Sequence, residues 1–163
     1  FVIQRRHFWF GGIELIQEVG GRADGVQFAG DIPVGNAWAI LQDEPDAALI
    51  DVRTDAEWSF VGVPDLSEIG KQPLLLSWQR FPDMAVNAEF VETLGRAGLS
   101  PDAANLFICR SGARSRAAAI AMAVAGYTRC YNVAEGFEGD RDDRQHRSAT
   151  GGWKAAGLPW VQS

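Results

Sequence analysis

Cys109 is followed at short range by Arg110, Gly112, Arg114 and Arg116, a grouping of residue types that can do chemistry. A cysteine attacks as its thiolate, which nearby arginines and a helix N-terminus both favour, so Cys109 is expected to be a reactive sulfur. Gly112 lets the chain bend with its backbone amides turned inward, as an anion-binding nest requires. One stretch therefore supplies a nucleophile and a cradle for a small anion. The plainer alternative is a buried thiol ahead of a solvated basic helix start. Three arginines and a glycine so close behind one cysteine argue against it.

The elements that must position this stretch can be read around it. Leu106, Phe107 and Ile108 look like the end of a buried strand and the Ala-rich run Ala117 to Ala125 like a helix, which puts Cys109 at the strand-to-helix turn. In an open parallel sheet ligands collect at that carboxyl edge, where the next helix directs its unpaired N–H groups and positive dipole end. Further strands are expected near Val26 to Phe28, over Ala47 to Asp51, over Leu74 to Leu76 and over Cys130 to Val133. Helices are expected from Pro33 to Asp43, closed by Glu44-Pro45, and from an Asn87 N-cap to Arg96, closed by Gly98. This alternation predicts an α/β fold, an open and mainly parallel sheet with helices on both faces.

Other residues are candidates for the site by position. Asp51 and Arg53 end a strand at the carboxyl edge; the favoured reading is a buried ion-pair and turn-capping cluster with Glu57, the alternative a place on the active-site rim. Trp78, Phe81 and Met84, on an aromatic loop leaving the same edge, wall the pocket or cover the sheet. Arg53, Glu135 and Phe137 complete the candidate rim. Cys130 lies inside a strand with no basic neighbour beyond Arg129 and reads as structural. The run from Glu138 to Thr150 is polar and charged, so a surface loop is expected, with Arg141, Arg144, His146 and Arg147 closing over an anion or docking an acceptor protein as its functional alternative.

Composition bounds the rest. A chain of 163 residues with 47% hydrophobic content supports one domain with a two-sided core. The net charge of −6 argues against a general nucleic-acid or anionic-membrane surface. Two cysteines are too few for a disulfide framework and suit a reducing compartment, and no apolar run approaches the ~20 residues of a membrane helix. A cytoplasmic monomer without metal or cofactor is expected. The first residue is not Met, and Ile13, Ile16 and Val19 suggest only a short amphipathic turn among glycines, so residues 1–25 are read as an N-terminal extension.

The stretch C-R-S-G-A-R-S resembles the active-site loop of the rhodanese (thiosulfate sulfurtransferase) family, in which a catalytic cysteine opens a six-residue loop leading into a helix. Asp51-Val52-Arg53 with Glu57 is similar to that family's first signature, and Gly151 to Pro159, G-G-W-K-A-A-G-L-P, to its C-terminal one. The resemblance implies a five-stranded sheet of rhodanese type over residues 26–163, with an inserted polar loop at 138–150. It implies Cys109 as the catalytic residue and Arg110, Ser111, Gly112, Ala113, Arg114 and Ser115 as the substrate-binding loop. The implied activity moves sulfane sulfur from thiosulfate or a similar donor to a thiol or cyanide, or to an acceptor protein, through a cysteine persulfide. Gly62-Val63-Pro64-Asp65-Leu66 stands where the family usually carries a histidine, so that residue's role does not carry over.

Three rivals stay open at this stage. A persulfide carrier for a cofactor or transfer-RNA thiolation pathway would show the same loop, and a non-catalytic binding module would show the same fold. Cysteine phosphatases and arsenate reductases of related architecture place an arginine six positions after the cysteine; here that position is Ser115, and the shorter loop makes a smaller cradle.

Overall fold

The strands that carry the apolar runs Ala47 to Ile50 and Leu106 to Ile108 stand side by side inside the sheet. A computed structural model of the chain describes residues 8–10, 13–15 and 28–163. Its strands are β1 (Phe8–Phe10), β2 (Ile13–Leu15), β3 (Gly30–Ile32), β4 (Ala48–Asp51), β5 (Val63–Pro64), β6 (Leu74–Leu75), β7 (Gln79–Arg80), β8 (Ala85–Val86), β9 (Asn105–Ile108), β10 (Cys130–Val133) and β11 (Trp160–Val161). The helices are α1 (Val34–Asp43), α2 (Asp55–Val61), α3 (Phe90–Arg96) and α4 (Ala113–Val124). Five strands form one parallel sheet in the order β3-β10-β9-β4-β6, which is the expected α/β architecture.

The pleat sends alternate residues to opposite faces, and each face is buried under helices. Ile50 and Phe107, with Cys109 beyond the strand end, pack with Phe90 and Leu94 of α3 and with Ala118, Ala119 and Met122 of α4. Leu49, Leu106 and Ile108 pack on the other face with Ala37 and Leu41 of α1 and with Trp153. Three buried alanines of α4, Ala118, Ala119 and Ala123, let that helix lie close to β9 and β10, which fixes where its first turn meets Cys109.

Several boundaries differ from expectation. The first strand of the sheet is Gly30–Ile32, paired with Tyr131–Val133, rather than Val26 to Phe28; it is an edge strand without an apolar run, and Phe28 enters the core as an isolated buried ring. Val26 and Gln27 lie outside the described residues, as do Ile16 and Val19. Ile13, expected in a short amphipathic turn, belongs to a hairpin in which Phe8 to Phe10 pair antiparallel with Ile13 to Leu15. The aromatic loop after β6 is itself a hairpin of β7 and β8. Asn87 sits one turn ahead of α3: its Oδ1 accepts from Glu89 N at 3.1 Å and from Arg80 Nη2 at 2.8 Å, tying that hairpin to the helix start. β11 returns to pair with β5, which brings the C-terminal signature back to α2.

The main difference lies beside Cys109. Helix α4 begins at Ala113, not at the alanine run, so Arg114, Ser115 and Arg116 occupy its first turns. Gly112 is its N-cap residue at φ 109°, a left-handed conformation, and an added Cβ would stand 2.2 Å from Ala134 O. A side chain there has no room, so the bend depends on glycine.

Candidate functional site

Cys109 leaves the end of β9 with only Arg110, Ser111 and Gly112 between it and α4. The turn after β10 holds this short loop by its carbonyls. Phe137 N donates to Cys109 O at 2.8 Å, while Glu138 N and Gly139 N donate to Arg110 O at 3.0 and 3.1 Å. Gly136 makes the approach possible, because a Cβ on it would lie 2.5 Å from the Arg110 carbonyl. With the loop bent in this way, Gly112 N donates to Cys109 Sγ at 3.1 Å, and Ser115 Oγ lies 3.1 Å from the same sulfur. An N–H at a helix start directed at sulfur is an arrangement that stabilises a thiolate.

Above the loop lies an open cleft of about 580 Å³. Cys109 is on its floor, only 1% exposed, with Arg110, Ser111, Ala113 and Arg114. Glu57, Phe60 and Val61 of α2 form one wall, and Phe81 and Met84 of the β7–β8 hairpin another. Phe60 and Phe81 are 80% and 61% exposed, so the mouth is rimmed by unpartnered aromatic surface.

The charges on the floor divide unequally. Arg114 Nη1 and Nη2 donate to Glu57 Oε2 and Oε1 at 2.8 Å each, a bidentate pair. Burial by itself would raise the Glu57 carboxyl, but the Arg114 bonds and the Thr54 backbone N–H outweigh it and hold its pKa at about 2. The Arg114 guanidinium is correspondingly pushed above its ordinary value, first by its bonds to Glu57. Arg110 has no ion-pair partner among the described residues. A bound anion would therefore meet one uncommitted guanidinium and one already matched.

The structure brings together most of the residues expected at the loop and separates most of those expected at the rim. Arg110, Ser111, Ala113 and Arg114 line the cleft; Gly112 and Ser115 lie beneath, against the sulfur. Phe81 and Met84 are rim residues, but Trp78 packs edge-on against Phe90, with ring centroids 5.1 Å apart, and covers the sheet. Arg53 is fully buried, bound to Asp51 at 2.6 Å and Gly62 O at 2.8 Å, with its guanidinium over the Phe137 ring at 4.1 Å. Arg53 and Phe137 are thus core residues rather than rim. Glu135 is no rim residue either, because its carboxylate accepts from Val34 N at 3.3 Å and Gly152 N at 3.1 Å.

The ion pair expected between Asp51 and Arg53 is present, but Glu57 stands apart from it. It closes the capping box of α2, accepting from Thr54 N at 3.0 Å, and meets Arg114. The stretch T-D-A-E, a threonine with glutamate three residues on, was the local signal for that cap. Nothing local signalled Phe60, whose role depends on tertiary packing. Arg141, Arg144, His146 and Arg147 do not line the cleft; Arg147 instead donates to Gly139 O at 2.7 Å, folding the inserted segment back on its own start, which Glu138 N and Gly139 N tie to Arg110 O. Burial pushes the Cys130 thiol up to about 12, in keeping with a structural thiol. Among the described residues no cluster of His, Cys, Asp or Glu could hold a metal ion, and no helix is long and apolar enough to cross a membrane.

Comparison with known proteins places these features in a wider group. Residues 30–163 match the family described as STR4 middle domain. An uncharacterized protein of Rickettsia rickettsii is 40% identical over 124 residues, 76% of this chain and 90% of that one. The rhodanese-like domain-containing protein 4 of Arabidopsis thaliana is 26% identical over 132 residues, which are 78% of this chain and 24% of that longer protein. The crystal structure of Rv0390 from M. tuberculosis superimposes with a TM-score of 0.77 at 46% identity, over 84% of this chain and all of that one. The solution structure of the polysulfide-sulfur transferase homodimer from Wolinella succinogenes gives 0.56 at 25% identity, over 81% of this chain and 77% of that one. The fold is rhodanese-like.

Proposed function

The chain belongs to the STR4 middle domain family, and from that premise we propose that it is a sulfurtransferase carrying sulfane sulfur on Cys109 as a persulfide. The observation that carries this reading is the Gly112 N–H on Cys109 Sγ at 3.1 Å, at the floor of an open cleft. Thiosulfate or a similar donor docks with its anionic end on Arg110 and the loop amides. The Cys109 thiolate attacks the outer sulfur, forming a new S–S bond. The old bond to the sulfonate sulfur breaks with its electron pair, sulfite leaves, and the persulfide remains.

The loop amides stabilise the charge on the leaving sulfite and then on the persulfide. An acceptor thiolate or cyanide next attacks the outer sulfur and releases Cys109 as its thiolate, giving an acceptor persulfide or thiocyanate. The Arg114–Glu57 pair keeps the wall rigid and leaves Arg110 as the main anion contact. A second reading, transfer of the sulfur to an acceptor protein, is supported by the exposed Phe60 and Phe81 at the cleft mouth.

Steady-state kinetics with thiosulfate and cyanide test the proposal. Parallel double-reciprocal lines are expected, together with loss of turnover in Cys109→Ser. Wild-type turnover by Cys109→Ser would dismiss it.

A further inference from the structure

The cleft above Cys109 is much larger than the ion proposed to dock on its floor. Its volume of about 580 Å³ falls within the range of pockets that take organic molecules, about 300–1,000 Å³, whereas thiosulfate is close in size to sulfate. Apolar side chains stand on both sides of the remaining space: Phe60 and Val61 of α2, and Phe81 and Met84 of the β7–β8 hairpin. The charged lining is Glu57, Arg110 and Arg114, and two of these are spent on each other, because both Arg114 nitrogens meet the Glu57 carboxylate at 2.8 Å. Arg110 is left to hold one small anionic group. Beyond it the cleft offers a ligand apolar contact.

Both walls are fixed by the fold itself. The last turn of α2 is tied to the end of the chain, where Gln162 Nε2 donates to Phe60 O at 2.8 Å. The hairpin is closed at its base by Asn87, whose N donates to Trp78 O at 2.7 Å and whose Oδ1 accepts from Arg80 Nη2 at 2.8 Å. At its tip Met84 holds φ 57°, the left-handed region that residues with a side chain rarely adopt, and its N donates to Arg80 O at 2.8 Å. Phe60 and Phe81 nonetheless stay exposed, apolar surface that nothing in the chain covers among the described residues. Water lying against these side chains is poorly bonded, so an apolar group that displaces it gains affinity.

We propose that Phe60, Val61, Phe81 and Met84 are the specificity-determining residues for the sulfur acceptor, and that this acceptor is a small organic thiol with an apolar body. Its thiolate, drawn to Arg110, attacks the outer sulfur of the Cys109 persulfide while the apolar body lies between the two walls. A new S–S bond forms and the old one breaks with its electron pair. Cys109 leaves as a thiolate, and the acceptor becomes an organic persulfide that keeps the proton of the outer sulfur. A hydrophilic thiol of the same acidity leaves the walls wet and gains nothing from them. The inference rests on the sulfurtransferase reading for the reaction, but the match between walls and ligand can be read without moving sulfur.

Two sulfonates that do not react with cysteine read the cleft by itself. Methanesulfonate and phenylmethanesulfonate present the same anionic group to Arg110 and differ by a ring. In NMR titrations of the whole chain, phenylmethanesulfonate is expected to bind about 10-fold more tightly, the gain from partly burying one ring against walls that remain half in water. In Phe60→Ala/Phe81→Ala the preference should fall below about threefold; both side chains are exposed, so the core is untouched. Equal affinity of the two sulfonates for the wild type, or an undiminished preference in the double variant, would overturn the proposal.

The reaction is read in a single turnover. Protein loaded with sulfur from thiosulfate and freed of excess donor is mixed with phenylmethanethiol or 2-mercaptoethanol, thiols of similar acidity, and loss of one sulfur is followed by intact mass. The aromatic thiol should discharge the persulfide about 10-fold faster at equal, subsaturating concentration, and the double variant should lose most of that advantage. Equal rates in the wild type would overturn the assignment of an apolar small thiol and leave the rim to an acceptor protein. A protein that takes up no sulfur yet prefers the aromatic sulfonate would refute the sulfurtransferase reading while upholding the walls as the site of an apolar ligand.

Discussion

Glu57 and Arg114, 57 positions apart in sequence, join the capping box of α2 to the first turn of α4 beside Cys109. One carboxylate serves both ends, accepting from Thr54 N and Thr54 Oγ1 at 3.0 and 2.9 Å as well as from the guanidinium. The cleft wall and the start of the nucleophile's helix are thereby held by a single side chain.

That dual role makes acid stability depend on Glu57. Its folded pKa of about 2 lies below the usual 4.5, so its stabilisation is complete above pH 4.5 and is lost as pH falls toward 2. Glu57→Gln should cost on the order of 2–3 kcal/mol at pH 7 and progressively less below about pH 4. Urea unfolding at about pH 7 and about pH 3 measures the gap. An equal gap at both values would show that the carboxylate charge is not what stabilises.

Arg110 and Arg114 should separate in kinetics. Arg110→Ala is expected to raise the thiosulfate KM by about 10-fold with a smaller change in kcat, since it removes one charge-assisted contact to the anion. Glu57→Gln, which leaves Arg114 unmatched in the cleft, should lower that KM. Steady-state assays of the two variants distinguish this from a cleft in which Arg114 is the main anion contact, where Arg110→Ala would leave KM unchanged.

The two cysteines should differ sharply in reactivity. Burial pushes Cys130 up to about 12, so alkylation of the folded protein at about pH 8 should label Cys109 and spare Cys130, while both react in urea. Peptide mass mapping reads the result, and comparable labelling of Cys130 in the folded state would contradict the packing around β10.

Lys71 holds the end of α1 from a distance. Its Nζ donates to Leu41 O in the last turn, to the C-cap carbonyl of Glu44 and to Ala47 O just ahead of β4, at 2.8, 2.6 and 2.9 Å, tying the helix end to the loop that follows it. Lys71→Met keeps much of the stem and removes the donors. A loss of about 2 kcal/mol is expected, seen as a fall in Tm of roughly 4–8 °C. An unchanged Tm would remove Lys71 from the account.

The sequence carried the parts of this site that are local. An apolar strand, a cysteine, a glycine and a helix follow one another directly, so the position of Cys109 at the sheet's carboxyl edge could be read from the residues alone. The start of α4 could not, because A-R-S-R has no apolar periodicity and its helical state depends on the Gly112 bend against Ala134. Contacts between distant segments were also hidden. Glu57 with Arg114, Asn132 with Ser115 and β5 with β11 each join stretches whose approach is set by the completed sheet. Arg53 and Phe137 looked like rim residues because they flank the carboxyl edge; the bend after β4 and the turn after β10 carry them into the core, where the guanidinium lies over the ring.

The central claim is that Cys109 carries the transferred sulfur, and intact mass tests it most directly. Incubation with thiosulfate should add the mass of one sulfur atom, located at Cys109 by peptide mapping, and cyanide should then remove it. A folded protein with reduced Cys109 that gains no sulfur, or gains it at another residue, would contradict the account.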